Sequence, residues 1–162
     1  MTPSNILCCV NGGVKLSDFG LARAEDRDQA EMTQPGMVKG KLAYTAPEVL
    51  KGEAVTESTD LFAAGACLWE GLTGKRLFDG KTAVATFQMI ISGAAPPLTE
   101  ERDDLPAGLP ELVASALDPD PSKRPSSALD FAEGLTRALK KSRVRYWRDR
   151  LGEAVRQAKK RT

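Results

Sequence analysis

Asp18 stands 13 residues after Asn5 and opens the tripeptide Asp18-Phe19-Gly20. A second tripeptide, Ala46-Pro47-Glu48, follows after 25 intervening residues. A carboxylate and a side-chain amide are hard oxygen donors of the kind a divalent cation takes beside phosphate oxygens. Between them, Ile6-Leu7-Cys8-Cys9-Val10 and Val14-Lys15-Leu16 flank Asn11-Gly12-Gly13, a pattern that reads as a small β-hairpin. Asn5 and Asp18 flank the two ends of that hairpin, so folding it brings the two oxygens close together. Taken singly, Asn5 reads as a turn residue after Pro3, and Asp18 as a turn or cap residue before Gly20. The spacing of the set is the signal.

The bulk composition suits one globular domain, or one domain with a tail. The chain has 162 residues, 41% hydrophobic and 28% charged. Its net charge of +1 conceals an asymmetry: residues 1–136 hold 12 basic and 20 acidic side chains, residues 137–162 hold 11 basic and 2 acidic. Such a split marks a tail with a partner of its own, or one that folds back on an acidic body. The three cysteines (Cys8, Cys9, Cys67) lack CxxC spacing, and the chain has no histidine, so a zinc site or a Cys–His nucleophile lacks its partners. They read as buried thiols in a reducing compartment. Met1 to Asn5 is uncharged, the apolar run after it is short, and no stretch reaches transmembrane length. A cytoplasmic location is expected.

The elements that must position these residues are mostly helical. Ala22 to Lys41 is polar, aperiodic and contains Pro35-Gly36, which predicts a long loop of functional character. Thr59 to Leu72 is apolar nearly all round, which predicts a buried helix stopped by Gly74. Thr82 to Ser92 reads as a helix closed by Gly93 and Pro96-Pro97. Leu109 to Leu117 reads as a short one, and Ser126 as the N-cap of another that runs to about Leu139. From about Ser142, Val144, Trp147, Leu151, Ala154 and Ala158 form a helical stripe opposite a basic face.

In this frame the chain resembles the bacterial eukaryotic-like Ser/Thr protein kinases. Pro3-Ser4-Asn5-Ile6-Leu7 resembles the end of their catalytic loop, H-R-D-L-K-P-x-N, and Asp18-Phe19-Gly20-Leu21-Ala22 their metal-binding DFG motif. Gly40-Lys41-Leu42-Ala43-Tyr44-Thr45-Ala46-Pro47-Glu48 resembles G-T-x-x-Y-x-A-P-E. Asp60-Leu61-Phe62-Ala63-Ala64-Gly65 resembles D-x-W-S-x-G, and Asp118-Pro119 to Arg124-Pro125 resembles D-P-x-x-R-P. The resemblance covers residues 1 to about 139, in family order. It implies that Asn5 and Asp18 hold Mg2+ against the phosphates of ATP, and that Leu7 packs beneath the adenine. It makes residues 18–48 the activation segment, with Phe19, Gly20, Lys41, Ala46, Pro47 and Glu48 at motif positions. Thr33 is the first candidate for phosphorylation there, with Thr45 and Tyr44 behind it. Glu48 with Arg124 would form the buried ion pair that anchors the segment, and Asp60 would hold the catalytic-loop backbone.

The departures are as informative. The family's catalytic base lies five residues before the loop Asn, which counts back to the position just before Met1. Residues for catalysis proper are thus none in this chain. The glycine-rich loop, the phosphate-pairing Lys and the rest of the small lobe are expected upstream, in frame. Thr2 stands at the loop Lys position, Lys41 at a Thr, and Phe62 at a Trp.

The expected architecture is mainly α (α+β): a kinase-like large lobe over residues 1–139 with a short N-terminal β-hairpin and the small lobe absent. A basic amphipathic helical tail spans residues 140–162. The function implied is ATP-dependent phosphoryl transfer to protein hydroxyls in the intact family, with the isolated chain catalytically incomplete. The alternative is a non-catalytic, pseudokinase-like interaction module. Expected partners are a protein substrate or the upstream small lobe; for the tail, an anionic surface stands beside the plainer reading of a solvated charged helix, with no specific nucleic acid. An uncovered apolar cleft face predicts self-association or a lowered melting temperature relative to an intact kinase, to be read by sizing and thermal melting.

Overall fold

The computed structural model describes residues 1–17, 41–142 and 146–160. Asp18, Phe19, Gly20 and Thr33 lie outside them, as does Val144. The chain divides into two compact units: Asp28–Ser142 together with Met1, and Thr2–Arg27 with Arg143–Thr162.

The larger unit is helical where it is described. Its elements are α1 (Pro47–Leu50), α2 (Glu57–Thr73), α3 (Ala83–Ile91), α4 (Leu98–Glu101), α5 (Leu109–Ala116) and α6 (Ala128–Lys141). α2 forms the centre because its sequence is apolar nearly all round from Leu61 onward. Leu61, Phe62, Ala63, Gly65, Ala66, Cys67 and Trp69 are all buried, and Gly74 ends it in the left-handed conformation at φ 70°. Its partner α5 comes very close. A Cβ on Gly65 would lie 3.0 Å from the Ala116 methyl and 3.2 Å from Leu117 Cγ. Leu61, Ala116 and Phe131 close a core shared by α2, α5 and α6, with Leu68, Leu112 and Leu135 packed against it.

Polar groups that this packing buries are supplied with partners, as interior polar groups require. Trp69 Nε1 donates to the Pro96 carbonyl at 2.9 Å, which fixes the chain leaving α3. Thr86 is fully buried on α3, where its hydroxyl donates to the Thr82 carbonyl and accepts from Gly80 N–H. Thr82, read from the sequence as the first residue of this helix, is its cap and accepts from Ala85 N–H. The α6 cap is one residue later than the sequence suggests. Ser127, not Ser126, accepts from Asp130 N–H, while Ser126 bonds the Asp130 carboxylate.

The smaller unit, taken by itself, is a hairpin and a helix. β1 (Ile6–Cys8) and β2 (Val14–Leu16) pair antiparallel in the register Ile6↔Leu16, Leu7↔Lys15, Cys8↔Val14. The strand stops at Cys8 and not at Val10, because Cys9 and Val10 enter the turn. Gly12 N–H donates to the Cys9 carbonyl, Cys9 N–H to the Gly13 carbonyl, and Gly12 sits at φ 75°. A turn followed by a left-handed glycine is a common three-residue hairpin connection. Cys8 is exposed and Cys9 half-buried, so burial holds only for Cys67, contrary to expectation for the pair. α7 (Trp147–Lys159) completes the unit. Among the described residues no helix is long and apolar enough to cross a membrane.

The α2–α5 contact makes glycine at 65 a packing requirement. Gly65→Val is expected to destabilise the chain by about 1–3 kcal/mol through overpacking. Gly71, on the same helix with open space around its Cα, gives the opposite sign: Gly71→Ala should stabilise by up to about 1 kcal/mol. Urea denaturation of both variants checks the pair, and equal effects would contradict it.

Candidate functional site

Two sets of sequence-predicted residues are described, one in each unit. In the smaller unit, Pro3 starts a single 3-10 turn that ends at Asn5, and β1 follows directly. The Asn5 side-chain oxygen accepts from Thr2 N–H at 2.9 Å and from the Thr2 hydroxyl at 2.8 Å. Its backbone carbonyl accepts from Ser17 N–H at 2.8 Å. The hairpin is therefore closed at its open end by Asn5 and Ser17, the residue immediately before Asp18. Leu7 lies on β1 opposite Lys15, with 48% of its surface exposed.

In the larger unit, Glu48 and Arg124 meet, as expected, across 76 residues of sequence. Two parallel hydrogen bonds of 2.8 Å join Nη1 to Oε1 and Nη2 to Oε2, with the Arg124 side chain 0% and the Glu48 side chain 3% exposed. The fork geometry of guanidinium and carboxylate makes such a pair both strong and directional. Every remaining polar direction is used. Arg124 Nε donates to the Asp118 carbonyl at 2.8 Å and Nη1 to the Ser58 carbonyl at 2.9 Å, while Glu48 Oε1 accepts from the Thr59 hydroxyl at 2.9 Å. The guanidinium also lies 5.1 Å from the centre of the Phe62 ring, which stacks on Phe78. Burial alone would push the Glu48 carboxyl up. The hydrogen bonds from Arg124, its own backbone N–H and Thr59 overcome this and hold it below the usual carboxylate range.

The protein kinase domain pattern matches residues 1–140. The chain belongs to the protein kinase family. It is 38% identical over 135 residues to a protein named tyrosine-protein kinase MasK of Myxococcus xanthus, covering 83% of this chain and 21% of that one. It is 39% identical over 129 residues to probable serine/threonine-protein kinase PknB of Bifidobacterium longum, covering 80% and 19%. To serine/threonine-protein kinase PknA of Mycobacterium tuberculosis it is 37% identical over 133 residues, covering 82% and 30%. The chain spans less than a third of the length of each of these relatives.

Against the family pattern, the other predicted residues fall as follows. Ala46 and Pro47 are buried, with Pro47 as the first residue of α1, where its missing N–H costs nothing. Lys41 is exposed. Asp60 is exposed in the first turn of α2, where a carboxylate complements the helix N-terminus. Thr45 is half-buried and bonds the Lys41 carbonyl. Tyr44, considered for phosphorylation, is a packing residue in this fold. It is buried, its hydroxyl donates to Glu70 Oε2 at 2.6 Å, and it accepts from Arg76 Nη1 at 3.2 Å. Burial and the Glu70 carboxylate both push its phenol up, so the hydroxyl stays protonated as a donor. Burial likewise pushes the Cys67 thiol to about 11, which leaves it unreactive.

Sequence reasoning passed over Glu70, Arg76, Thr59 and Phe62's role as the floor of the ion pair. A signal existed for one of them: Glu70 is the lone acid in the apolar run of α2 between Leu61 and Leu72, and a charge there needs a partner.

The anchor yields a prediction with two arms. Glu48→Ala or Arg124→Ala strands one buried charge and is expected to cost about 3–5 kcal/mol of stability. The pH arm follows from the sign of the shift. Because the folded-state pKa of Glu48 is depressed, its contribution is fully present above the ordinary glutamate range and is lost as pH falls through the lowered value. Acid melting curves of the wild type should thus steepen below the usual carboxylate pKa relative to Glu48→Gln, whose curve lacks this component. Superimposable acid limbs would contradict the assignment.

Proposed function

We propose that this chain is the large-lobe portion of a Ser/Thr protein kinase domain that transfers phosphoryl groups from ATP to protein hydroxyls. The observation that carries this reading is the fully satisfied Glu48–Arg124 pair, because it ties the end of the segment that begins at Asp18 to the helical core. On this reading Asn5 and Asp18 hold Mg2+, Leu7 supports the adenine, and residues 18–48 present the protein substrate, with Thr33 as the regulatory hydroxyl. Oxygen donors at Asn5 and Asp18 fit a hard cation. When bound, Mg2+ neutralises charge on crowded phosphate oxygens.

What the chain's own residues do is orient. The Asn5–Ser17 closure sets the separation of the two hairpin ends, and the ion pair fixes the far end of the segment. A phosphoryl transfer is mostly a matter of positioning and electrostatics, so groups held in place within each unit suit the reaction.

One observation favours the second reading, a non-catalytic interaction module. Both acceptor directions of the Asn5 side-chain oxygen are engaged by Thr2, which stands where the family carries Lys. Coordination through that oxygen exchanges two hydrogen bonds for one metal bond.

Paramagnetic broadening decides between them. Mn2+ with a non-hydrolysable ATP analogue should broaden the amide resonances of Asn5 and Ser17 in wild type and leave them sharp in Asp18→Asn. Sharp resonances in a folded wild-type chain would remove the metal role and leave the interaction module.

A further inference from the structure

We infer that α7 is a positioning clamp for the hairpin, so that residues beyond the kinase-domain match set the geometry of Asn5. The match ends at residue 140, whereas α7 runs from Trp147 to Lys159. The inference rests on the proposed site only for what the hairpin serves; the clamp itself stands on contacts inside the smaller unit.

Those contacts are backbone against backbone. A Cβ on Gly152 would lie 2.5 Å from the Val10 carbonyl oxygen and 3.1 Å from Gly12 N. A Cβ on Gly12 would lie 1.9 Å from the Arg148 carbonyl oxygen. Glycine at both places lets the helix sit directly on the hairpin turn, closer than any side chain permits. Arg156 then reaches back from the next turn of α7, and its Nη1 donates to the Val10 carbonyl at 2.7 Å. Gly152 is the buried residue of α7, flanked by half-buried Leu151 and Val155. The stripe expected from periodicity is different: Trp147, Ala154 and Ala158 are exposed. A mid-helix glycine weakens a helix relative to alanine, so its presence at the contact is accounted for by the close approach.

The hairpin needs such a support. Its strands have three residues each, and an isolated two-stranded hairpin is marginal in water unless it packs on something else. Its turn is what α7 holds, and its open end is the Asn5–Ser17 closure. The paired register between them transmits a fixed turn into a fixed distance at Asn5. Gly12, Gly152 and Arg156 are positioning residues in this sense.

Amide hydrogen exchange on the full chain tests the clamp. In Gly152→Ala, which raises intrinsic helix propensity but places a methyl on the Val10 carbonyl, the amides of Cys9, Gly12 and Ser17 should exchange about tenfold faster or more. Arg156→Gln, which adds no bulk, should accelerate them several-fold, and Arg156→Lys should restore part of the protection. Gly71→Ala should leave them unchanged. Protection in α2 reports that the larger unit remains folded; should Gly152→Ala unfold the chain, the Arg156 pair decides. Unchanged exchange at Ser17 in Arg156→Gln would overturn the clamp. The two readings separate cleanly: exchange that accelerates while Mn2+ leaves Asn5 sharp supports the clamp and removes the metal site.

Discussion

The buried ion pair between Glu48 and Arg124 is the constraint on which the larger unit depends. Removing two charges from water costs several kcal/mol for each ion, and their attraction offsets this only with good geometry and satisfied neighbours. Both conditions are met by backbone and side-chain groups whose placement the helices decide. Ser58 and Thr59 belong to the first turn of α2, and Asp118 follows α5. Phe62, one turn further along α2, supplies a ring face at 5.1 Å. The pair can exist only if α2 and α5 are packed, and the close Gly65–Ala116 approach is what packs them. Apolar packing comes first in this hierarchy; the charge pair then selects one arrangement.

The same logic recurs at the other end of the segment 41–50. Tyr44 carries a hydroxyl into the interior, and Glu70 accepts from it while also accepting Leu77 N–H at 3.1 Å. Arg76 completes the set from the partly solvated side. A short helix such as α1, four residues long, has little stability of its own. It holds its place because a polar group before it and a polar group within it are each tied to α2 or its flanks. A segment held this way owes little to local propensity.

Much of this was legible in the sequence. The apolar run through α2, the glycine stop at 74, the helix from about Thr82 and the hairpin around Gly12-Gly13 each follow from local rules that act over a few residues. The Glu48–Arg124 pairing was legible only through resemblance, since no local rule links residues 76 apart. The misreadings have physical causes. Ser126 and Ser127 are both competent caps, and the choice between them is made by the backbone of α6. Cys8 and Cys9 sit in an apolar run, but a hairpin of three-residue strands has too little area to bury both. Periodicity chose the Trp147–Ala154 stripe for α7 because a hydrophobic count gives glycine no weight, and the packed face is the one centred on Gly152. A face made by the absence of side chains is the hardest kind to read from their identities.

The metal role proposed for the smaller unit turns on one oxygen. The Asn5 amide oxygen caps the turn from Thr2 and is also the atom that the family pattern offers to a cation. Each neutral hydrogen bond is worth about 0.5–1.5 kcal/mol net, so the two bonds impose a modest cost on any exchange of ligand, and only the one from the Thr2 hydroxyl depends on the side chain at that position. The cost is lowest if the backbone around Asn5 does not have to move. The carbonyl of Asn5 is held by Ser17, and the hairpin behind it is held at its turn by α7. A fixed backbone leaves the amide as the group that must reorganise. The support given to the hairpin and the availability of its oxygen are thus one physical question, in which rigidity at the turn limits the penalty at the open end.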